Sequence, residues 1–149
     1  MEYVLDTNIL VQFVRNSLIA KAINEQYQLF SPDNRLYISI VSIGEIYALG
    51  YKNQWGRRKM EEIENILTEL YAIPIDSREL AKMYAEIDAF SQNKHLNFAL
   101  PADLSARNMG KNDIWIAATT AILGATLLTT DKDFRHLDKV FFAVECVEV

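Results

Sequence analysis

Acids recur in this sequence at one kind of place, the seam between an apolar, strand-like run and the helix that follows it. Asp6 comes directly after Tyr3-Val4-Leu5, and Glu45 lies one turn into the helix that follows Leu36 to Val41. Asp131 and Asp133 come after Ala125 to Thr130, and Asp113 opens the apolar helix that feeds that run. In an open parallel sheet, ligands bind outside the carboxyl ends of the strands. Side chains from four distant stretches would therefore meet there if Asp113 faces the same edge. Carboxylates held together repel unless they share protons or bind a cation. A ligand set made only of oxygen suits Mg²⁺ or Mn²⁺, which complete their shells with water and substrate phosphate. A cation so held can activate water and neutralise charge during phosphodiester hydrolysis.

Each acid also has a purely structural explanation. Asp6 can cap the helix it precedes, and Asp113 can favour a helix dipole from the first turn. Ser42-x-x-Glu45 has the form of a capping box, in which Glu45 reaches back to the Ser42 backbone. Asp131 and Asp133 can be turn and cap residues. Two apart in a turn, they are expected to face different ways, Asp131 toward the cluster and Asp133 as the cap. Asp76-x-x-Glu79 has the same capping pattern and is read as structure only. Helix starts are where acids belong, so position alone does not choose between the readings.

The elements that must hold these residues alternate in type. The first strand, Tyr3-Val4-Leu5, gives way to a helix through Ile9, Leu10, Phe13 and Val14, whose spacing is helical. A second helix is expected from about Ser17 to Phe30, ending at the turn Ser31-Pro32-Asp33-Asn34. Leu36 to Val41 is the next strand. A helix opening at Ser42 and ending near Gly50 follows, then one from about Gly56 to Leu70. Tyr71-Ala72-Ile73-Pro74-Ile75 is a strand whose proline suits an edge. Asp76 to Gln92 is a long helix, and Asn93 to Lys111 is polar and irregular, with a short helix expected after Pro101. The helix from Asn112 is apolar nearly all round, as a buried helix is. Ala125 to Thr130 is a strand, Asp131 to Leu137 a short helix, and Val140 to Val144 the last strand. The expected architecture is a three-layer α/β/α sandwich around a five-stranded, mostly parallel sheet.

Composition narrows the function classes. The chain has 149 residues, 50% of them hydrophobic, which suits one folded domain over residues 1–149. A net charge of −5 does not suit a protein that coats nucleic acid through bulk charge. A single cysteine, Cys146, excludes an internal disulfide framework and fits a reducing, cytoplasmic setting. No secretory leader or membrane-spanning run is read. Gly44, Gly50, Gly56, Gly110 and Gly124 are too widely spaced for a dinucleotide fingerprint or a phosphate loop. No Gly-x-Ser-x-Gly elbow is present for a serine hydrolase.

The residues around the acids carry more than their positions do. Val4-Leu5-Asp6-Thr7-Asn8, Ser39-Ile40-Val41-Ser42-Ile43-Gly44-Glu45, Asn112-Asp113-Ile114-Trp115-Ile116-Ala117-Ala118 and Leu128-Thr129-Thr130-Asp131-Lys132-Asp133-Phe134 resemble the PIN-domain family. The likeness is to its VapC-type toxins, the ribonuclease halves of toxin–antitoxin pairs, and it runs from residue 3 to 134 in order. It implies a five-stranded parallel sheet between helices and Mg²⁺- or Mn²⁺-dependent endoribonuclease activity. It also implies an antitoxin partner and a homodimer. Asp6 and Asp113 would be direct metal ligands, Glu45 a ligand or water orienter, and Asp131 a second-site or outer-shell acid. Thr7, Asn8, Ser42, Asn112 and Thr129 would support them. The segment from Ser91 to Lys111 is longer than the family often keeps it.

RNA would have to be bound by local charge, for which Arg57, Arg58, Lys59, Arg107 and Lys111 are the candidates. The first three can equally be a solvated helix face balanced by Glu61, Glu62 and Glu64. His95 and His136 read as surface residues. Two other classes of function fit less well. A catalytically silent RNA-binding or scaffold module of the same fold would not need all four acids. A phosphotransfer domain would need further acids beside the first strand.

Overall fold

A computed structural model describes residues 1–149. Five strands form one sheet in the order β3-β2-β1-β4-β5, every pair parallel. They are β1 Glu2–Leu5, β2 Arg35–Ser39, β3 Tyr71–Ile73, β4 Thr126–Thr129 and β5 Ala143–Cys146. Six α-helices connect them: α1 Thr7–Val14, α2 Leu18–Tyr27, α3 Ile40–Lys52, α4 Arg57–Thr68, α5 Arg78–Ser91 and α6 Lys111–Leu123. A 3-10 helix, Lys132–Leu137, follows β4. No helix is long and apolar enough to cross a membrane.

Strand alternation assigns the two faces. Tyr3 and Leu5 point with Leu36, Ile38 and Leu128 into a core closed by residues of α1 to α4, among them Ile9, Ile23, Ile46 and Ile63. Val4 and Leu127 point the other way, against Ile87, Phe90, Ile116 and Phe134 from α5, α6 and the 3-10 helix. The expected α/β/α sandwich is therefore the observed one, and the third strand does lie at an edge, although it ends at Ile73, ahead of Pro74, which has no N–H to give a ladder. From β1 the chain runs outward through β2 and β3, then returns to β4 on the other side of β1. That reversal opens a crevice at the carboxyl ends of β1 and β4, where such sheets hold their ligands.

Several boundaries differ from the sequence reading, each for a local reason. The second strand stops at Ser39 because the Ser39 hydroxyl accepts the Val41 N–H at 3.1 Å and starts α3 two residues earlier than expected. Helix α3 then runs through Gly50, whose lack of a side chain admits Met60: a Cβ there would lie 2.9 Å from the sulfur. Gly124, by contrast, does end α6, in the left-handed region at φ 62°. Ser77, not Asp76, caps α5 by accepting the Leu80 N–H at 3.1 Å. Helix α2 closes at Tyr27, with Gln28 left-handed behind it. No helix forms after Pro101. The last strand starts three residues late, since Lys139 turns at φ 61° and its N–H bonds to the Phe142 carbonyl at 2.8 Å.

Candidate active site

Asp6 is the hinge of the site. It stands one residue past β1, its N–H donates to the Leu128 carbonyl at 3.0 Å, and it is 3% exposed. Its side chain caps α1: Oδ1 accepts the Thr7 N–H at 2.8 Å, and Oδ2 accepts the Thr129 hydroxyl at 2.7 Å. The capping explanation is thus correct as far as it goes, but a buried carboxylate is more than a cap needs. Thr7 and Thr129 each reach a further acid. The Thr7 hydroxyl donates to Glu45 Oε1 at 2.8 Å, and Thr129 Oγ1 accepts the Asp131 N–H at 2.9 Å. Glu45 comes from the second turn of α3 and Asp113 from the first turn of α6.

The structure brings Asp6, Glu45 and Asp113 onto one cleft of about 660 Å³, which Thr7, Asn8 and Asn112 also line. Asp131 does not line that cleft, although its charge acts on both Asp6 and Asp113. Burial pushes the Asp6 carboxyl up to about 6 against the two hydrogen bonds that favour its charged form, with Asp131 and Glu45 adding repulsion. Burial also pushes Asp113 up to about 7, followed by repulsion from Asp6, Asp131, Glu45 and then Asp133. Asp113 is half-buried, and no hydrogen bond from the protein favours its charged form. Glu45 Oε1 and Asp131 Oδ1 each hold one donor.

The donor set fits a hard divalent cation: it is all carboxylate, it is crowded by its own charge, and no protein donor holds Asp113. As placed, no three of these acids converge on a point that would hold an ion. A cation would have to draw side chains inward, Asp113 first. Asp6, Glu45 and Asp113 are the residues positioned to do this, with Asp131 within electrostatic reach.

Three local expectations are corrected. Ser42 is not a cap: it lies inside α3, its hydroxyl is buried without a partner, and Glu45 turns to Thr7 instead of back to the Ser42 backbone. The roles of the two late acids also change. Asp131 caps the 3-10 helix by accepting the Asp133 N–H at 2.8 Å, while Asp133 is exposed and lines a neighbouring cavity with Asp113. His136 is not a surface residue, being 6% exposed, whereas His95 is half-buried with its ring turned to Glu86.

The basic candidates divide. Arg57 pairs with Glu61 at 3.0 Å and Arg58 with Glu62 at 3.7 Å along their own helix, while Lys59 lies 4.7 Å from the Trp55 ring centre. None of the three lines the acid cleft. Lys111 borders an open groove with Glu45 and Asp113, and Arg107 a cavity with Asp113 and Asp133. Lys52, at the end of α3, lines the acid cleft itself. This last placement depends on α3 running past Gly50.

A parallel sheet in this order, with acids at its carboxyl edge and helices on both faces, places the molecule among PIN-like α/β folds. The PIN-domain family model matches residues 3–140, and the chain belongs to that family. It is 27% identical to the ribonuclease VapC1 of Haemophilus influenzae strain R2866 over 138 residues, 92% of either chain. Among solved structures it is similar to VapBC-1 from nontypeable Haemophilus influenzae, with a TM-score of 0.74 at 22% identity over 98% of both chains. It is also similar to VapBC2 from Rickettsia felis, solved bound to a DNA fragment from their promoter, with a TM-score of 0.76 at 22% identity over 98% of both chains.

Proposed function

We propose that this protein is a metal-dependent endoribonuclease and the toxin of a toxin–antitoxin pair. The observation that carries the reading is the mutual crowding of Asp6, Glu45, Asp113 and Asp131 at the crevice between β1 and β4. Burial first, and then mutual repulsion, raises the Asp6 and Asp113 carboxyls and makes the charged cluster costly in the absence of a cation. A cluster retained at such cost is better explained by catalysis than by capping. The similarity to ribonuclease VapC1 supports RNA as the substrate, and the similarity to VapBC complexes supports an antitoxin partner. A cytoplasmic homodimer is proposed on the family likeness.

Asp6 and Asp113 would hold Mg²⁺ or Mn²⁺, with Glu45 as a further ligand or as acceptor for the attacking water. When bound, the cation supplies Lewis acidity and neutralises the charge of the phosphodiester. Thr7 and Thr129 keep the Asp6 carboxylate in one rotamer, ionised, and aimed into the cleft. Thr7 also fixes one Glu45 oxygen and leaves the other free to orient a water. Asp131 adds negative charge from behind Asp6 and Asp113, which raises the affinity for a cation at the cost of self-repulsion. Asn8 and Asn112 offer neutral polar groups to the substrate at the cleft wall.

Incubation of purified protein with total RNA in Mg²⁺ or Mn²⁺, with and without EDTA, tests the reading. The expected result is cation-dependent cleavage at discrete sites leaving 5′-phosphates, found by sequencing the fragment ends. Absence of cleavage with either cation, or cleavage that persists in EDTA, overturns it.

A further inference from the structure

The long segment between α5 and α6 is fastened at a point the acid cluster does not use. Ser91 and His136 are 0% and 6% exposed, and the Ser91 hydroxyl lies 2.7 Å from His136 Nε2. The Ser91 carbonyl accepts the Arg107 N–H at 2.8 Å. The His136 ring lies parallel to that of Phe90, 2° apart in plane. Three distant stretches therefore meet here: the end of α5, the approach to α6 and the 3-10 helix behind Asp131. Burial first, and then the nearby Arg107 charge, hold the His136 ring below its ordinary proton affinity, so it serves as a neutral hydrogen-bonding plate.

What this fastening fixes is Arg107. The residue is half-buried and its charge acts on His136, yet it joins none of the ion pairs, which use Arg35, Arg57, Arg58, Lys132 and Arg135. It borders a cavity of about 310 Å³ whose other walls include Gly110, Asp113 and Asp133. That is about the volume of the smallest ligand pockets. A guanidinium is always charged and presents a planar fork that matches phosphate. Asp113, which also lines it, belongs to the cluster that would hold the cation.

We propose that Arg107 binds the phosphate next to the one that is cut, making this cavity a one-nucleotide subsite for single-stranded RNA, with Ser91 and His136 as positioning residues. The inference rests on the nuclease reading above. It differs from general basic attraction in naming one cation among several: Arg57 and Arg58 are neutralised by their own helix, and Lys52 and Lys111 lie on exposed walls without a comparable support.

The test is binding of a short, fluorescein-labelled, single-stranded RNA of mixed sequence to the full chain in EDTA, followed by anisotropy over a range of salt. Arg107→Gln should weaken binding about tenfold and make the slope of log affinity against log salt shallower by about 0.7, the value for one phosphate contact on a single strand. Arg57→Gln should change neither. Ser91→Ala should weaken binding less than Arg107→Gln does, and not at all in the Arg107→Gln background, because the hydroxyl acts only through the arginine. An unchanged affinity and salt slope in a folded Arg107→Gln variant overturns the subsite, as does absence of RNA binding by the wild-type chain. Cleavage with Mg²⁺ is scored separately. RNA that binds through Arg107 but is never cut overturns the nuclease reading and leaves the subsite standing. RNA that is cut equally well by both proteins at subsaturating concentration does the reverse.

Discussion

Thr129 Oγ1 donates to Asp6 Oδ2 at 2.7 Å and accepts the Asp131 N–H at 2.9 Å, so a single hydroxyl ties the acid after β1 to the acid after β4. The tie follows from register: Leu5 pairs with Leu128, which sets the next residue of each strand side by side. Removing the hydroxyl while keeping the shape, as in Thr129→Val, leaves the buried Asp6 carboxylate with one donor fewer and the Asp131 amide without its acceptor. A loss of about 1–3 kcal/mol of stability is expected. Thr129→Ser keeps the hydroxyl and should lose clearly less. Denaturant titrations of the two variants decide the matter, and a Thr129→Val variant that loses no more than Thr129→Ser would show that the two hydrogen bonds are worth no more than the packing of one methyl group.

The raised carboxyls predict a pH dependence with a definite sign. Asp113 is moved from 3.8 to about 7 and Asp6 from 3.8 to about 6. A group whose folded-state pKa is raised gives its full contribution below the unfolded value and loses it as pH climbs through the folded value. Without a cation, wild-type stability should therefore fall between about pH 4 and pH 7 by an amount that Asp113→Asn does not share. The gap between the two proteins should widen over that window by something on the order of 1 kcal/mol, since Asp113 is only half-buried. Melts of both proteins in EDTA measure it. A gap that stays constant with pH would show that neither burial nor repulsion raises the Asp113 carboxyl.

The fold and most of the site were legible because they are encoded locally. Strand-length apolar runs alternate with helical spacing, and each acid sits at a seam that any sheet of this class exposes. The unread parts were those set by contact between distant residues. Ser39 lies inside a strand-like run, with Leu36-Tyr37-Ile38 before it and Ile40-Val41 after it, and only its side-chain bond to Val41 marks it as a helix start. Gly50 has the look of a helix end, but Met60 from α4 fills the space it leaves. Ser91 and His136 are 45 residues apart, and neither carries a sign of the other until the 3-10 helix packs on α5. Asp131 takes the capping role expected of Asp133 because a 3-10 turn aims its carboxylate at the Asp133 amide, while its charge still acts on Asp6 and Asp113.

The relocated cap gives a second pair of opposed outcomes. Ser39 holds the Val41 N–H, whereas the Ser42 hydroxyl is buried without a partner. Ser39→Ala should cost about 1 kcal/mol, the usual worth of an N-cap. Ser42→Ala removes an unsatisfied buried group and adds a better helix former, so it should be neutral within about 0.5 kcal/mol or slightly stabilising. Thermal melts suffice. A Ser42→Ala variant that loses as much as Ser39→Ala would restore the capping box.

Glu45 is where a structural role and a catalytic one separate most cleanly. Its Oε1 accepts the Thr7 hydroxyl at 2.8 Å, a bond that a glutamine amide oxygen can also accept. Glu45→Gln should therefore fold with a stability within about 0.5 kcal/mol of wild type in EDTA. What glutamine cannot supply is charge. A cation bound only by the folded state raises stability by about 2.7 kcal/mol at a hundred times its dissociation constant. Titrating Mn²⁺ into wild type should raise the melting temperature progressively, and Glu45→Gln should need more of the ion for the same rise. Its RNA cleavage should drop steeply at every Mn²⁺ concentration if the free Glu45 oxygen orients the attacking water, and recover at high Mn²⁺ if Glu45 serves only as a ligand. Full cleavage together with an unchanged Mn²⁺ response would reduce Glu45 to a partner for Thr7, leaving Asp6, Asp113 and Asp131 to do the chemistry.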